Sequence, residues 1–208
     1  SRGVATGIGL LALARLTGLK PSHLRGGPTL TKIIRVGFPA GTGVIAYALV
    51  YWAMLGTSIS PLGPHVNAAL GIGFSALEAM SWPCFHGVSL AVASFVGRGL
   101  GAGDVAQARA AMKLGLPMVT ILGALATVIF GFGGEFLTGL FSADTRVHAA
   151  ATEYAVILAV SQLFVAWESL YEGVLNGAGD TKTVFWLSVP ANVLRIPLAW
   201  YFAFPLGA

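Results

Sequence analysis

Five apolar runs follow one another along the chain, at about 36–59, 65–97, 112–141, 150–176 and 184–206. Each is long enough to cross a lipid bilayer as a helix, which takes roughly 20 apolar residues. Inside hydrocarbon every backbone N–H and C=O must be satisfied by the chain itself, so only helices and closed barrels cross. The alternating apolar and polar pattern of barrel strands is absent here. The expected fold is therefore all-α: a polytopic bundle of membrane helices. Composition agrees with that reading. Charged residues make up 10% of the 208 residues, whereas a soluble domain carries about 25%. Such a chain cannot clothe a water-facing surface. Its net charge of +4 resides in the loops, where a membrane protein places it, and implies no nucleic-acid partner. The single Cys84 provides neither a disulfide framework nor a metal quartet.

A shorter apolar stretch at 3–13 is followed by Arg15 and Lys20, the reverse of a secretory signal, in which basic residues come first. It reads as the end of a helix begun earlier. Residues 1–17 are thus expected to close a preceding span, 18–35 to form a cytoplasmic loop, and 36–208 to form a domain of five spans. The chain reads as an internal segment of a longer protein. Pro39, Pro83, Pro117, Pro190 and Pro197 fall inside or near the start of spans, where each removes a backbone donor and favours a kink. The 28 glycines permit close helix approach.

Basic residues set the orientation. Arg15, Lys20, Arg25, Lys32 and Arg35 precede the first full span, and the next loop, TSISPLGPH, has no Lys or Arg. Arg98, Arg109 and Lys113 surround the following loop, Arg146 stands alone in the next, and Lys182 marks the last. Basic loops alternate with poor ones, and the basic side is cytoplasmic by the positive-inside rule. The tetrapeptide Gly-Ala-Gly-Asp occurs on that side twice, at 101–104 and 177–180. Glycine ends a helix in the left-handed conformation, and aspartate caps the next. Gln107, three residues after Asp104, suits a capping box. A phosphate-cradling loop is the rival reading, but no Lys-Ser/Thr pair follows the glycines and the aspartate repels phosphate.

Ionisable groups within spans are costly and mark functional positions. Glu78 lies near the middle of the second full span. Asn67, Glu78 and Ser89 are spaced by eleven, close to three helical turns, and so are expected on one face with Ser75 and Trp82 nearby. There Glu78 is suited to taking up and releasing a proton, or to bonding neighbouring helices. The fourth span carries Glu168 and Glu172 one turn apart, with Ser161 and Asn176 continuing the face. Glu168 is expected to line a cavity, and Glu172 lies shallower. Arg195, in the last span, needs a carboxylate or carbonyl partner, with Glu78 and Glu168 as candidates and Asn192 a turn away. Tyr47 and Trp82 are the aromatic candidates for cation–π contact with an organic cation. His86 reads as a satisfied interior histidine, and no H-E-x-x-H occurs.

Three segments together carry a family resemblance: GFPAG opening a span, GIGFSALEAMSWPCFHGVSLAVASFVGRGLGAGDVAQA, and YEGVLNGAGDTKTVFWLSVPANVLRIPLAWYF. In this order and spacing they resemble the MATE family of multidrug and toxic compound extrusion transporters, from Lys32 onward. The resemblance implies a twelve-helix protein of two six-helix lobes, of which this chain supplies most of the C-terminal lobe. Residues 18–35 then become the inter-lobe loop, and the N-terminal lobe of the same protein becomes its partner, with the lipid bilayer and a small organic substrate. It also implies export of organic, often cationic, compounds across the cell (inner or plasma) membrane, in exchange for protons or sodium ions. No enzyme activity, cofactor or metal centre is expected. On that reading Glu78 and Glu168 carry cation coupling, and Tyr47, Trp82, Glu172, Asn192 and Arg195 line the substrate cavity. A lipid-linked oligosaccharide flippase of the same broad architecture is the second reading, and an intramembrane enzyme or a purely structural subunit are others. The chain departs from some relatives in two places. The stretch VIAYALVYW lacks the glutamate they carry there, and Val165 and Ala166 stand near where they place an aspartate.

Overall fold

In the computed structural model the described residues are 28–204, together with Ala12. The expected span end at 1–17, Ala12 apart, and the first part of the loop at 18–35 lie outside them. The chain divides into two compact units, Ser1–Phe38 and Pro39–Ala208, and the packing below is that of the second. Every element among the described residues is helical. They are α1 (Pro28–Met54), α2 (Pro64–Ile72), α3 (Ala79–Gly101), α4 (Val105–Gly139), α5 (Thr145–Gly177) and α6 (Thr181–Ala203). A π-helical turn, Leu55–Ile59, and a 3₁₀ turn, Ser60–Leu62, continue α1, and a second π-helical turn, Gly73–Glu78, joins α2 to α3.

The stretches Ile33–Leu62, Pro64–Gly101, Val105–Gly139 and Thr145–Gly177 are each long and apolar enough to cross a membrane. The fifth expected span is helical as α6 but is not among these four. Asn192 and Arg195 within it subtract from its hydropathy. The helices also begin earlier than the apolar runs. α1 starts at Pro28 rather than Val36, α4 at Val105 rather than Met112, and α5 at Thr145 rather than Ala150. For α4 and α5 the capping residues Asp104 and Asp144, not the apolar boundary, set these starts. All five prolines expected in or near spans lie inside helices.

The two Gly-Ala-Gly-Asp copies fold into the same joint. Gly103 and Gly179 have φ of 76° and 79°, the left-handed region that glycine enters without strain. The Gly103 amide donates to the Leu100 carbonyl at 3.1 Å and the Asp104 amide to Gly99 at 2.8 Å. In the second copy Gly179 donates to Asn176 at 3.0 Å and Asp180 to Leu175 at 2.9 Å. This pair of bonds is the Schellman helix stop. Each aspartate then starts the next helix. The Gln107 amide donates to Asp104 Oδ1 at 2.9 Å, and the Thr183 amide to Asp180 Oδ1 at 3.2 Å. The full capping box is not formed, because the Asp104 amide is already bonded to Gly99. At the opposite end Asp144 caps α5, accepting from the Arg146 and Val147 amides at 2.8 and 3.2 Å.

The core lies among α3, α4 and α5. Phe85, Val92 and Val96 of α3 meet Val119, Ala126 and Phe130 of α4 and Ala155, Ala159, Ala166 and Leu170 of α5. Spacings of four and seven put each set on one stripe of its helix. α3 and α5 run side by side in the same direction on small residues. Ser89 Oγ donates to the Ser169 carbonyl at 2.6 Å. A Cβ on Gly173 would strike Ser89, and one on Gly177 would strike the Ala93 backbone. A Cβ on Gly97 would lie 3.1 Å from the Gly177 carbonyl oxygen, so the two joints sit next to each other. α4 runs antiparallel and is tied to α5 by three hydroxyl bonds. Trp167 Nε1 donates to Thr120 Oγ1 (2.9 Å), Thr127 Oγ1 to the Ala159 carbonyl (2.9 Å), and Thr138 and Thr152 share a bond of 2.9 Å. The outward faces are apolar as well: Phe132 is 90% exposed and Phe136 71%, as on helices surrounded by lipid or by other helices. α6 leans on α5 and on the 55–59 turn.

Candidate functional site

Glu78 is the last residue of the π-helical turn Gly73–Glu78. The wide turn needs room at its start, and Gly73 provides it: a Cβ there would occupy the ring of Tyr154. That ring enters from α5, and its hydroxyl donates to Glu78 Oε1 at 2.5 Å. Tyr51 of α1 packs its ring against Phe74 of the same turn, centroid to centroid 5.4 Å. Tyr47 and Tyr51 are both close enough to Glu78 or Tyr154 to interact electrostatically. A half-buried carboxylate therefore accepts from one phenol, Tyr154 of α5, and lies near a second, Tyr51 of α1, with Tyr47 next to both phenols. Such a site has oxygen donors for a small cation and a hydroxyl able to exchange hydrogen bonds as the carboxylate gains or loses a proton.

The stripe expected from the eleven-residue spacing holds in part. Glu78 and Ser89 both bond to α5, through Tyr154 and Ser169. Asn67 bonds instead to the preceding turn, donating to Ser60 Oγ at 3.4 Å. The π turn lies between Asn67 and Glu78 and breaks the 3.6-residue phase on which the spacing relied.

A second polar group lies nearer the joints. Glu168 and Glu172 stand one turn apart on the exposed side of α5. Glu168 interacts electrostatically with Glu172 and with Arg195 of α6. Arg195 Nη1 donates to Asn192 Oδ1 at 3.1 Å. Of the two carboxylates expected as partners, Arg195 lies near Glu168 but bonds to Asn192. The two carboxylates expected to couple do not form one cluster. Tyr154, which holds Glu78, and Glu168 are fourteen residues apart on α5, about 21 Å of helix at 1.5 Å per residue.

Trp82, one turn past Glu78, is 52% exposed and stacks on His86 with centroids 4.5 Å apart and planes at 12°. His86 is half-buried. Two surface concavities, one around Phe132, Glu135 and His148 and one around Val105, Arg109 and Lys113, contain none of the expected site residues. Tyr154 is the residue of this site that pattern reading passed over. Its signal was a phenol inside an apolar run, but nothing in spacing links it to a residue on another helix. Ser169 is a similar case, paired with Ser89 only by the fold.

Residues 39–201 match the MatE family. The chain belongs to the MatE family. This MatE chain is 24% identical over 180 residues to a probable multidrug resistance protein NorM of Photorhabdus laumondii, covering 86% of the chain and 38% of that protein. It is 28% identical over 178 residues to multidrug resistance protein MdtK of Pectobacterium atrosepticum, covering 84% and 38%. A solved MOP superfamily transporter from Pyrococcus furiosus, whose reversed binding-pocket polarity suggests a different function, superposes with a TM-score of 0.79 at 26% identity, over 88% of this chain and 40% of that one. A MATE structure in complex with MaL6 superposes with a TM-score of 0.78 at 27% identity, over 88% and 40%. The chain thus spans about two fifths of the length of the relatives it matches. With its four membrane-crossing stretches, it is part of a multi-pass membrane protein.

Proposed function

We propose that the complete protein is a secondary active transporter of the cell (inner or plasma) membrane, exporting organic, often cationic, compounds in exchange for protons or sodium ions. The observation that carries this reading is the Glu78 carboxylate within a stretch long and apolar enough to cross a membrane, held by the neutral Tyr154 hydroxyl. A carboxylate held by a neutral donor in such a stretch has a use for a mobile cation. The relatives' description as multidrug resistance proteins supports the same reading.

The second polar group supplies the substrate side. Glu168 and Glu172 outnumber Arg195, which leaves this group of side chains net negative and favours a cation. Asn192 orients Arg195, and Tyr47 and Trp82 offer aromatic faces to an organic cation. Glu168 joins Glu78 in cation coupling from its own end of α5. Alternating access then proceeds by rocking of this lobe against the N-terminal lobe within the bilayer.

The test is ethidium export from proteoliposomes containing the full-length protein, with an imposed proton or sodium gradient and no lipid-linked sugar. Gradient-dependent export is expected. Export that requires no gradient, or translocation only of a lipid-linked sugar, would overturn the proposal and favour a flippase.

A further inference from the structure

We propose that Tyr154 is a positioning residue that latches the π-helical turn Gly73–Glu78 to α5, so that a cation on Glu78 changes the course of the helix beyond it. The inference rests on the reading of Glu78 as a coupling carboxylate. It adds a residue and a mechanical consequence.

Three contacts grip the turn. At its first residue, Gly73 makes room for the Tyr154 ring. At its second, Phe74 packs against Tyr51. At its last, Glu78 accepts the Tyr154 hydroxyl at 2.5 Å. One side chain of α5 thereby holds both ends of one turn. A π turn inside an α-helix carries an extra residue, is intrinsically unfavourable, and persists where its surroundings enforce it. The enforcement here depends on charge. A hydrogen bond to an ionised carboxylate is roughly twice as strong as one between neutral groups. A proton or sodium ion on Glu78 neutralises the acceptor and weakens the latch. The turn is then free to relax toward α-helical winding, which rotates α3, with Trp82 and His86 on its first turns, relative to α5.

Tyr154 from α5 and Tyr51 from α1 face Glu78, and Tyr47 of α1 lies near both of them. α2, α3 and α4 also pack on the turn. α2 brings His65 at its start, α3 brings Cys84 and His86, and α4 brings Glu135, which is exposed. Glu153, beside Tyr154 on α5, is exposed as well.

The experiment is hydrogen exchange with mass spectrometry on the full-length protein in nanodiscs. Amides of residues 73–82 are read at pH 8 and pH 5 and at pH 8 with saturating Na⁺, corrected for intrinsic exchange, with the α4 amides as internal control. In the wild type, acid or Na⁺ should raise exchange of this segment by about tenfold, the factor expected when a charge-assisted bond is weakened, and leave α4 unchanged. Tyr154→Phe keeps the ring in the Gly73 slot and removes the donor. It should exchange fast at both pH values and ignore Na⁺. Glu78→Gln, which keeps shape without charge, should be equally insensitive and covers the case in which the tyrosine variant folds poorly. A wild type whose segment responds to neither acid nor Na⁺, or a Tyr154→Phe protein that responds like the wild type, overturns the latch. Ethidium export is scored separately. Gradient-driven export without the exchange response leaves the transport reading standing and removes the latch, whereas absence of export counts against the transport reading.

Discussion

Asp104 and Asp180 each end one helix and begin the next, with the backbone amide committed backward and the carboxylate forward. This double duty was legible because both halves are local: a glycine where φ must be positive, and a short acid one residue later. The Gln107 half of the expected capping box failed because the helix stop, five residues back at Gly99, took the amide first. Asparagine caps about as well as aspartate, so Asp104→Asn should be tolerated. Asp104→Leu should destabilise by about 1 kcal/mol, measured as a lower melting temperature of the purified full-length protein. Equal loss of transport in both variants with normal folding would contradict a capping role. At Asp180 the Thr183 hydroxyl, and then its amide, hold the carboxyl below the usual carboxylate range. The folded value is depressed, so this contribution is present above the unfolded value of about 3.9 and is lost as pH falls further, through the folded value. Thermal melts from pH 5 down to about 2 should show a loss in the wild type that sets in below about pH 3.9 and that Asp180→Asn reduces.

Helices were visible in the sequence as apolar runs, yet their ends were set by caps lying several residues outside those runs. Asp104, Asp144 and Asp180 fix the starts of α4, α5 and α6. The π turn was not visible, because the eleven-residue spacing of Asn67 and Glu78 presupposes an unbroken 3.6-residue helix. Nor was the Glu78–Tyr154 pair, since the two residues are 76 positions apart and neither has a local signature of the other. The small-residue seam between α3 and α5 was expected only in general terms. Its particular members are Ser89, Ala93 and Gly97 against Ser169, Gly173 and Gly177. Overpacking such a contact typically costs about 1–3 kcal/mol. Gly177→Leu, which sets a side chain against the Ala93 backbone, should therefore lower the melting temperature clearly. Gly101→Leu, where a Cβ meets nothing within 4 Å, should change it little. Similar losses for the two variants would contradict the seam.

At the scale of the whole molecule, the alternation of basic and non-basic loops predicts that both Gly-Ala-Gly-Asp joints lie on the cytoplasmic side. With Cys84 replaced by alanine in the full-length protein, Ser60→Cys should react with an impermeant maleimide from outside intact cells and Lys182→Cys should not. Both positions are exposed, so reversed labelling would contradict the orientation; Thr181 is buried and would report nothing. The sequence also marked the ionisable residues within the spans as the functional ones, and the fold sorts them into two groups. Glu78 sits with phenols from α1 and α5. Glu168, Glu172, Asn192 and Arg195 sit nearer the joints. The central claim is that Glu78 is the residue through which an ion gradient drives export. It is tested most directly by the pH profile of ethidium export by the full-length protein with Glu78→Gln, a change that keeps shape and hydrogen bonding while removing the charge. The expected result is normal folding with gradient-driven export abolished, or with substrate binding made insensitive to pH, and partial activity retained by Glu78→Asp. Export at the wild-type rate with an unchanged pH profile would contradict the claim and make Glu78 a structural partner of Tyr154.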